Sequence, residues 1–325
     1  MLKSLARAAL GAATISARRV LRRAPLVEGW TFREEIVIGL MRPRFARRET
    51  VAKSRMALDR LGDQVQNLAD WEPVRVGPLE ASWAHPKADT QRCGVTVLYL
   101  HGGGHCVGSY RSHRAIVERM VAASGASFLV LNYRLAPEHP CPASIADVQT
   151  AWAWLLAQGI DPKRAVIAGD SAGGGLTLSS LVALTAAGQP LPALGFCISP
   201  WTDLTLSGAS HIDNRDFDYL GVADLTGFAA NYAGDLPLDD PRVSPAFADL
   251  TGLPPLFIQV GGAEVLLDDA RMVAARAEAD GVSVTLDVWP GQIHVWHGFA
   301  RIFPAGQAAI EAMGARIVAV CKESV

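Results

Sequence analysis

A chain of 325 residues, 50% hydrophobic and 19% charged, is long enough to bury a large core. Its 30 basic and 32 acidic residues nearly balance to a formal net charge of −2, so the overall charge does not favour nucleic acid or an anionic membrane as a partner. No run reaches the roughly 18 apolar residues that a membrane-spanning helix needs, so we expect no stable membrane insertion.

The first part of the chain, residues 1–65, differs from the rest by a local excess of arginine among apolar residues. Residues 1–13 faintly resemble a signal peptide, but Arg7 interrupts the apolar stretch and no clean cleavage site follows, so we expect a cytoplasmic protein. Five scattered cysteines without metal-ligand spacing make a disulfide framework unexpected. We interpret residues 1–65 as an N-terminal helical cap segment, with an amphipathic helix at a membrane surface as the alternative.

From about residue 70, short apolar runs alternate with helical patterns. Eight runs predict strands, at Glu72–Val76, Glu80–Trp83, Val95–Leu100, Phe128–Asn132, Ala165–Ala168, Leu194–Ser199, Leu256–Val260 and Val282–Val288. The first two, joined near Gly77, predict an antiparallel hairpin at one edge of a sheet. Five intervals predict helices, at Ser112–Ala123, Ile145–Ala157, Ala172–Ala187, Leu266–Ala279 and Pro304–Cys321.

This alternation indicates a mostly parallel sheet of about eight strands that is covered by helices on both faces. We therefore expect one α/β catalytic domain over residues 66–325. Residues 208–238 do not follow this alternation of strands and helices, and we interpret them as a second cap segment. Together with residues 1–65 they would lie over the carboxyl ends of the strands, where open α/β sheets carry their sites.

The motif Gly169-Asp170-Ser171-Ala172-Gly173 has the pattern GxSxG and lies between a predicted strand and a predicted helix. A serine on such a sharp turn is exposed at the end of the sheet, and the flanking glycines remove side chains that would collide with neighbouring backbone. The alternative is a glycine-rich helix start without catalytic meaning. The strand and helix flanks favour Ser171 as a nucleophile.

A serine nucleophile needs a base and an acid that orients the base, and after an elbow of this type they follow in the order acid, then histidine. The acid candidates follow the seventh predicted strand: Glu264 lies nearest the strand end, and Asp268 is the alternative. The base candidates follow the eighth strand: His294 lies in the loop, and His297 is the alternative. All of them are expected at the edge of the sheet that carries Ser171.

Donors for an oxyanion are expected from the N–H of Ala172 and from a glycine loop after the third predicted strand, at His101-Gly102-Gly103-Gly104. Consecutive glycines let backbone amides face a bound oxygen without interference from side chains. A zinc site at His101 and His105 is not expected, because a glycine loop cannot place them on one helical face and no glutamate lies between them. We expect neither a metal nor a cofactor.

These motifs, with Tyr133-Arg134-Leu135-Ala136-Pro137-Glu138-His139-Pro140 and Ser199-Pro200-Trp201-Thr202-Asp203-Leu204, resemble those of the bacterial hormone-sensitive-lipase-like esterases of family IV. The resemblance implies an α/β-hydrolase fold, carboxylic ester hydrolysis without a cofactor, a helical cap and frequent dimers. It also implies Ser171, Glu264 and His294 as the catalytic triad and Gly103 and Gly104 as loop donors. The family commonly has aspartate at the position of Glu264 and often has HGF after its base. Here His294-Val295-Trp296 takes that position, and an HGF-like piece follows three residues later at His297-Gly298-Phe299. We interpret Arg134 and Glu138 as a structural pair.

We therefore predict a serine carboxylesterase for short- to medium-chain acyl esters of small molecules, without a nucleic-acid partner and with a homodimer as the expected assembly. Its pocket is expected to be largely apolar and to be lined by Trp30, Phe32, Phe217 and Tyr219. A lactone hydrolase, which would use the same groups, is the alternative enzyme. A non-catalytic receptor is a second alternative, since plant gibberellin receptors resemble this family but have lost the triad histidine.

Overall fold

The fold was obtained as a computed structural model, which describes residues 12, 15, 16, 19, 21, 24–45, 50–62 and 66–323. Eight strands form one sheet in the order β1-β2-β4-β3-β5-β6-β7-β8. Their bounds are β1 Ala69–Val76, β2 Leu79–Pro86, β3 Thr96–Leu100, β4 Ser127–Asn132, β5 Ala165–Asp170, β6 Leu194–Ile198, β7 Leu256–Gly261 and β8 Val284–Trp289. Each predicted strand corresponds to one of these, so the predicted α/β-hydrolase sheet is confirmed.

Strand β2 is antiparallel to both of its neighbours, whereas β4, β3, β5, β6, β7 and β8 run parallel. The predicted hairpin at the sheet edge is β1 paired with β2, with Val76 opposite Leu79. All residues of β3, β5 and β6 are buried, as expected for parallel strands that are covered on both faces. The carboxyl ends of the parallel strands share one edge of the sheet.

Nine α-helices whose bounds the structure describes accompany the sheet. They are α1 Phe32–Phe45, α2 Val51–Leu61, α3 Arg114–Ser124, α4 Ala143–Ala157, α5 Ala172–Ala186, α6 Ser210–Asp213, α7 Val222–Ala233, α8 Leu267–Ala279 and α9 Pro304–Glu323. Helix α3 begins two residues later than predicted, because Ser109 and Ser112 form a turn of side-chain hydrogen bonds ahead of it. Gly125, with φ of +67°, ends the same helix.

Two large apolar clusters pack on either side of the sheet. One contains Leu98, Ile167 and Ile258 with side chains of α4, α5 and α8, and the other contains Val97, Val166 and side chains of α3 and α9. Alternate residues of one strand point to opposite faces, which is why neighbours such as Val97 and Leu98 belong to different clusters. Among the described residues, no helix has the length and apolar character needed to span a membrane.

The predicted helical character of the N-terminal segment holds for α1 and α2. Thr31 and Glu34 form a capping box at the start of α1. The Glu34 N–H donates to Thr31 Oγ1, and the Thr31 N–H donates to Glu34 Oε2. Trp30 lies in a third apolar cluster with Ile293 and Trp296. Most of residues 1–23, on which the membrane-surface alternative depends, lie outside the described residues.

Candidate active site

Ser171 lies on a sharp turn between β5 and α5, with φ of +54° and ψ of −122°. Non-glycine residues seldom adopt positive φ, so the tightness of the turn holds the serine in a strained backbone conformation. A Cβ at Gly169 would lie 2.3 Å from the Gly173 carbonyl oxygen, and one at Gly173 would lie 2.0 Å from the Leu100 carbonyl oxygen. The two glycines of the motif are therefore required by close backbone packing.

His294 connects Ser171 to Glu264. Its Nε2 lies 2.9 Å from Ser171 Oγ, and its Nδ1 lies 3.1 Å from Glu264 Oε2. The other carboxylate oxygen of Glu264 accepts a hydrogen bond from the Gly261 N–H at 3.0 Å, which orients the carboxylate. Glutamate therefore reaches the imidazole in this chain, although aspartate is the commoner residue of the family at this position.

The alternative acid and the alternative base lie elsewhere. Asp268 accepts a hydrogen bond from the Ser210 N–H at 2.9 Å and pairs with Arg271 at 3.1 Å. His297 is fully buried, and its Nε2 lies 3.1 Å from Gln259 Oε1. Of the residues considered, the structure thus brings Ser171, His294 and Glu264 together.

The two histidines have opposite electrostatic environments. Burial alone would lower the pKa of His294, but the hydrogen bond and charge of Glu264, with the charges of Asp218 and Asp170, raise it above the usual 6.5. Burial lowers the pKa of His297 to about 3, so this side chain is neutral at physiological pH. The environment of His294 favours a protonated imidazole, which is the state that a general base reaches after it accepts a proton.

The glycine loop after β3 is shaped by positive φ angles and by close contacts. Gly103 has φ of +120°, and Gly104 has φ of +59°. A Cβ at Gly103 would lie 2.3 Å from the Val107 carbonyl oxygen, and one at Gly104 would lie 2.4 Å from Cδ2 of Phe228 on α7. Glycine is therefore required at both positions for two reasons, backbone conformation and space.

Asp170 of the GxSxG motif attaches this loop to β5. Its Oδ1 accepts hydrogen bonds from Tyr99 Oη at 2.8 Å and from the Gly102 N–H at 3.1 Å. Its Oδ2 lies 3.4 Å from Nε2 of His113. Burial would raise the pKa of Asp170, but the charge and hydrogen bond of His113 outweigh it and lower the pKa. The strand that carries Ser171 and the glycine loop are thus joined by one buried carboxylate.

Ala172 is the first residue of α5, directly after the serine. The first amides of a helix have no partner within the helix, and the helix dipole adds partial positive charge at this end. Ala172 follows the end of β5 and the glycine loop follows the end of β3, so the amides of both lie at the same edge of the sheet as Ser171. Such an arrangement can stabilise negative charge on an oxygen that is bound beside the serine.

The four aromatic residues predicted for the pocket have different environments. Tyr219 lies beside His294, and the centroids of the two rings are 6.0 Å apart. Phe217 and Tyr219 are partly buried against the third apolar cluster, whereas Trp30 is buried within it and donates a hydrogen bond to the Gly291 carbonyl. Phe32 is 46% exposed at the start of α1. Sequence reasoning missed Phe228, which covers Gly104.

The interpretation of Arg134 and Glu138 as a pair is wrong. Arg134 pairs with Asp147 at 2.7 Å, and both carboxylate oxygens of Glu138 accept hydrogen bonds from Arg55 of α2, at 2.9 and 2.7 Å. Arg55 also donates to the carbonyl oxygens of Cys106 and Ala136. Arg55 therefore attaches α2 to two segments, the one that follows the glycine loop and the one that follows β4.

Within the described part of the chain, no group of three histidine, cysteine, aspartate or glutamate side chains is arranged to hold a metal ion. Cys93, Cys106, Cys141 and Cys197 form no disulfide with one another. Burial lowers the pKa of both His101 and His105 to about 3. These two histidines stack on Tyr133 and Tyr232 respectively, so aromatic packing accounts for their positions.

A strand-turn-helix serine, hydrogen-bonded through histidine to a carboxylate on a mostly parallel sheet, defines the class of α/β-hydrolase-fold serine hydrolases. Residues 97–298 match the family model described as alpha/beta hydrolase fold. The chain belongs to this family, and within it to the bacterial hormone-sensitive-lipase-like esterases, as the sequence motifs predicted.

Known relatives agree with this assignment. An acetyl-hydrolase of Streptomyces hygroscopicus is 45% identical over 268 residues, covering 82% of this chain and 89% of its own. An esterase of Acinetobacter venetianus is 33% identical over 253 residues, covering 76% and 84%. The protein is a carboxylic ester hydrolase.

Two solved structures extend the likeness to the whole fold. A crystal structure of an esterase from the bacterial hormone-sensitive lipase family has a TM-score of 0.85 and 41% identity, and the match covers 90% of this chain and 99% of that one. The crystal structure of EstE5 soaked with p-nitrophenyl butyrate has a TM-score of 0.84 and 38% identity, with coverage of 89% and 99%.

Proposed function

We propose that the protein hydrolyses short- to medium-chain acyl esters with Ser171 as nucleophile, His294 as general base and acid, and Glu264 as the group that orients and stabilises the imidazole. The observation that carries this proposal is the continuous hydrogen-bonded connection from Glu264 through His294 to Ser171, at 3.1 and 2.9 Å. It links three loops at one sheet edge. These are the groups and contacts that acyl transfer by serine requires.

In the first step, Ser171 Oγ attacks the carbonyl carbon of the ester while His294 Nε2 takes the hydroxyl proton. The carbonyl oxygen becomes an oxyanion, which the amides of Gly103, Gly104 and Ala172 stabilise. Collapse of this tetrahedral intermediate breaks the bond to the alkoxy oxygen. His294 gives its proton to that oxygen, the alcohol leaves, and the acyl group remains on Ser171.

In the second step, a water molecule loses a proton to His294 Nε2 as its oxygen attacks the acyl carbon. The same amides stabilise the second oxyanion, and its collapse breaks the bond to Ser171 Oγ. His294 returns the proton to the serine, and the carboxylic acid leaves. Throughout both steps the carboxylate of Glu264 holds the imidazole in the required tautomer and stabilises its charged form.

The preference for short chains is supported by aromatic side chains around the reacting groups. Phe228 covers Gly104, so one aromatic ring lies next to the proposed oxyanion donors. Tyr219 lies beside His294, so a second ring lies next to the proposed base. Ser171 is only 9% exposed, so little of its surface is open to solvent. The relative with 45% identity is named an acetyl-hydrolase, which agrees with a small acyl group.

The proposed function is tested with purified protein on p-nitrophenyl acetate, butyrate, octanoate and palmitate. We expect the highest kcat/KM on acetate or butyrate and a steep fall toward palmitate. An aryl phosphonate fluoride should inactivate the enzyme by forming one covalent bond to Ser171 Oγ with release of fluoride, and peptide mass spectrometry locates that adduct. Highest activity on palmitate would refute the chain-length proposal, and an adduct on another residue would refute the nucleophile.

A methyl group at Gly104 tests the oxyanion loop. Gly104→Ala should lower kcat by about 100-fold or more, because the added Cβ meets Phe228 and a residue at this positive φ is strained, so the loop amide is displaced. KM should change much less, since the amide acts on the transition state. Stopped or continuous assay of p-nitrophenyl butyrate hydrolysis measures both constants.

Two further variants separate space from conformation. Gly104→Ala combined with Phe228→Ala removes the collision, so it should recover part of kcat, and the remaining deficit reports the backbone conformation. Gly227→Ala on α7, where an added Cβ meets nothing within 4 Å, serves as the matched control and should keep parental kinetics. A parental kcat in Gly104→Ala would contradict the expected displacement of the loop amide by the added methyl group.

A further inference from the structure

Asp218 is a buried carboxylate that the reaction described above does not use. It lies between α6 and α7, in the segment predicted as the second part of the cap, and only 1% of its surface is exposed. Its Oδ1 accepts hydrogen bonds from the N–H of Tyr219 at 2.7 Å and from the N–H of His294 at 3.3 Å. Its Oδ2 accepts one from the N–H of Val265 at 3.0 Å.

These contacts place one carboxylate between the two loops that hold the acid and the base. Val265 directly follows Glu264 after β7, and the third contact is the backbone of His294 itself, after β8. The neighbouring Asn214 contributes to the same junction, since its side-chain amide donates to the Glu264 carbonyl oxygen at 2.8 Å. Displacement of Asp218 would therefore leave buried amides of both loops without their carboxylate acceptor, and an unsatisfied buried amide is destabilising.

We propose that Asp218 is a positioning residue of the active site. It fixes the loops that carry Glu264 and His294 relative to the segment between α6 and α7, and its carboxylate adds a second negative charge beside the imidazole. This inference rests on the proposed roles of Glu264 and His294. Asp218 does not touch the reacting atoms; it acts through the backbone and the charge of the histidine. The segment would thus complete the catalytic site as well as cover it.

The charges around Asp218 support the electrostatic part of the proposal. Glu264 faces it from the loop after β7, His294 from the loop after β8, and the adjacent Tyr219 is neutral at physiological pH because burial and these carboxylates raise its pKa. Asp170, at the end of β5, acts on the same imidazole from a third strand. An ionised Asp218 therefore favours a protonated His294.

The ionisation state of Asp218 depends on pH in the range where esterases are assayed. Burial, with the charge of Glu264, raises its pKa to about 6, although His294 and the backbone hydrogen bonds oppose this shift. The carboxylate is consequently charged above about pH 6 and loses its charge as the pH falls through that value. Its support of the imidazolium is present in the charged form and absent in the protonated form.

The test compares Asp218→Asn, which keeps the shape and removes the charge, with Asp218→Glu, which keeps the charge and moves the oxygens. Asp216→Asn is the matched control, because that side chain is 68% exposed in the same segment. The pKa of His294 is measured by NMR titration of protein labelled with ¹³C at histidine Cε1, with the resonance assigned through His294→Ala. Kinetics on p-nitrophenyl butyrate are measured in parallel.

We expect Asp218→Asn to lower the pKa of His294 by about one unit, because one of the negative charges near the imidazole is removed. Both Asp218 variants should lower kcat by about 10- to 100-fold, since misplacement of a catalytic group by an ångström has effects of that order. Asp218→Glu should leave the pKa of His294 close to its parental value, and Asp216→Asn should change neither quantity.

An unchanged pKa of His294 in Asp218→Asn, or a parental kcat in both Asp218 variants, would overturn the proposal. Folded and unfolded molecules in slow exchange give separate histidine resonances, so the titration of the folded form can be followed in a partly unfolded variant. It also needs no substrate. Absence of esterase activity in the parent protein would therefore refute the proposed function, while the effect of Asp218 on the imidazole would still be measured.

Discussion

Ser171→Ala and His294→Ala should each lower kcat for p-nitrophenyl butyrate by about 10⁵- to 10⁶-fold, leaving only the contribution of binding and the oxyanion donors. The hydroxyl and the imidazole act as one unit, since Nε2 of His294 lies 2.9 Å from Oγ of Ser171. The double variant should therefore be no less active than either single variant. Active enzyme is counted by phosphonate titration so that a trace of parental contaminant is not mistaken for residual activity.

His297→Gln is the matched control for the choice of histidine. His297 is buried and contacts Gln259, and its low pKa keeps it neutral, so its replacement should affect stability more than rate. We expect kcat within a few-fold of the parent and a lower midpoint of thermal unfolding. Near-complete loss of activity in His297→Gln, with His294→Ala still active, would move the role of base to His297.

Glu264→Gln should lower kcat by about 10⁴-fold with little change in KM, because an amide next to Nδ1 of His294 no longer stabilises the imidazolium and can hold the wrong tautomer. The buried carboxylate accepts from both Nδ1 and the Gly261 N–H, and glutamine retains the size needed for these contacts. The acid limb of the pH dependence of kcat/KM should move to lower pH. Loss of the carboxylate removes the hydrogen bond and charge that raise the pKa of His294.

Asp268→Asn is the comparison for Glu264→Gln, since it makes the same carboxylate-to-amide change four residues further along. Asp268 contacts Ser210 and Arg271 and lies at the first turn of α8. We expect a small loss of stability and kcat within a few-fold of the parent. A larger loss of kcat in Asp268→Asn than in Glu264→Gln would assign the acid to Asp268.

The fold and the main motifs could be predicted because they depend on neighbouring residues. Eight apolar runs of strand length, separated by helical patterns, predicted each strand of the sheet, and the pairing of β1 with β2 followed from the short connection at Gly77. The GxSxG turn and the glycine loop also have local signatures, since close backbone approach demands glycine at fixed positions. Strand and helix ends differed by a few residues where side-chain turns and caps decide them.

Contacts between distant side chains were predicted less well. Arg134 and Glu138 are near each other in the sequence and opposite in charge, yet each has another partner, and Arg55 lies 83 residues before Glu138. Among the aromatic residues expected in the pocket, Tyr219 lies beside His294, whereas nearly half of Phe32 is exposed to solvent. Aromatic character alone does not tell whether a side chain faces a pocket, an apolar cluster or solvent.

The sequence by itself determined the α/β sheet, the strained serine turn, the glycine loop and the order of serine, acid and histidine, because local backbone geometry and strand periodicity encode these features. Only the tertiary structure shows that His294 rather than His297 contacts Ser171, and that Glu264 rather than Asp268 contacts His294. It also revealed Asp218, 76 residues before His294. These choices depend on which side chains meet when distant loops are brought to one sheet edge. Burial, hydrogen-bond geometry and neighbouring charge exist only in the folded chain.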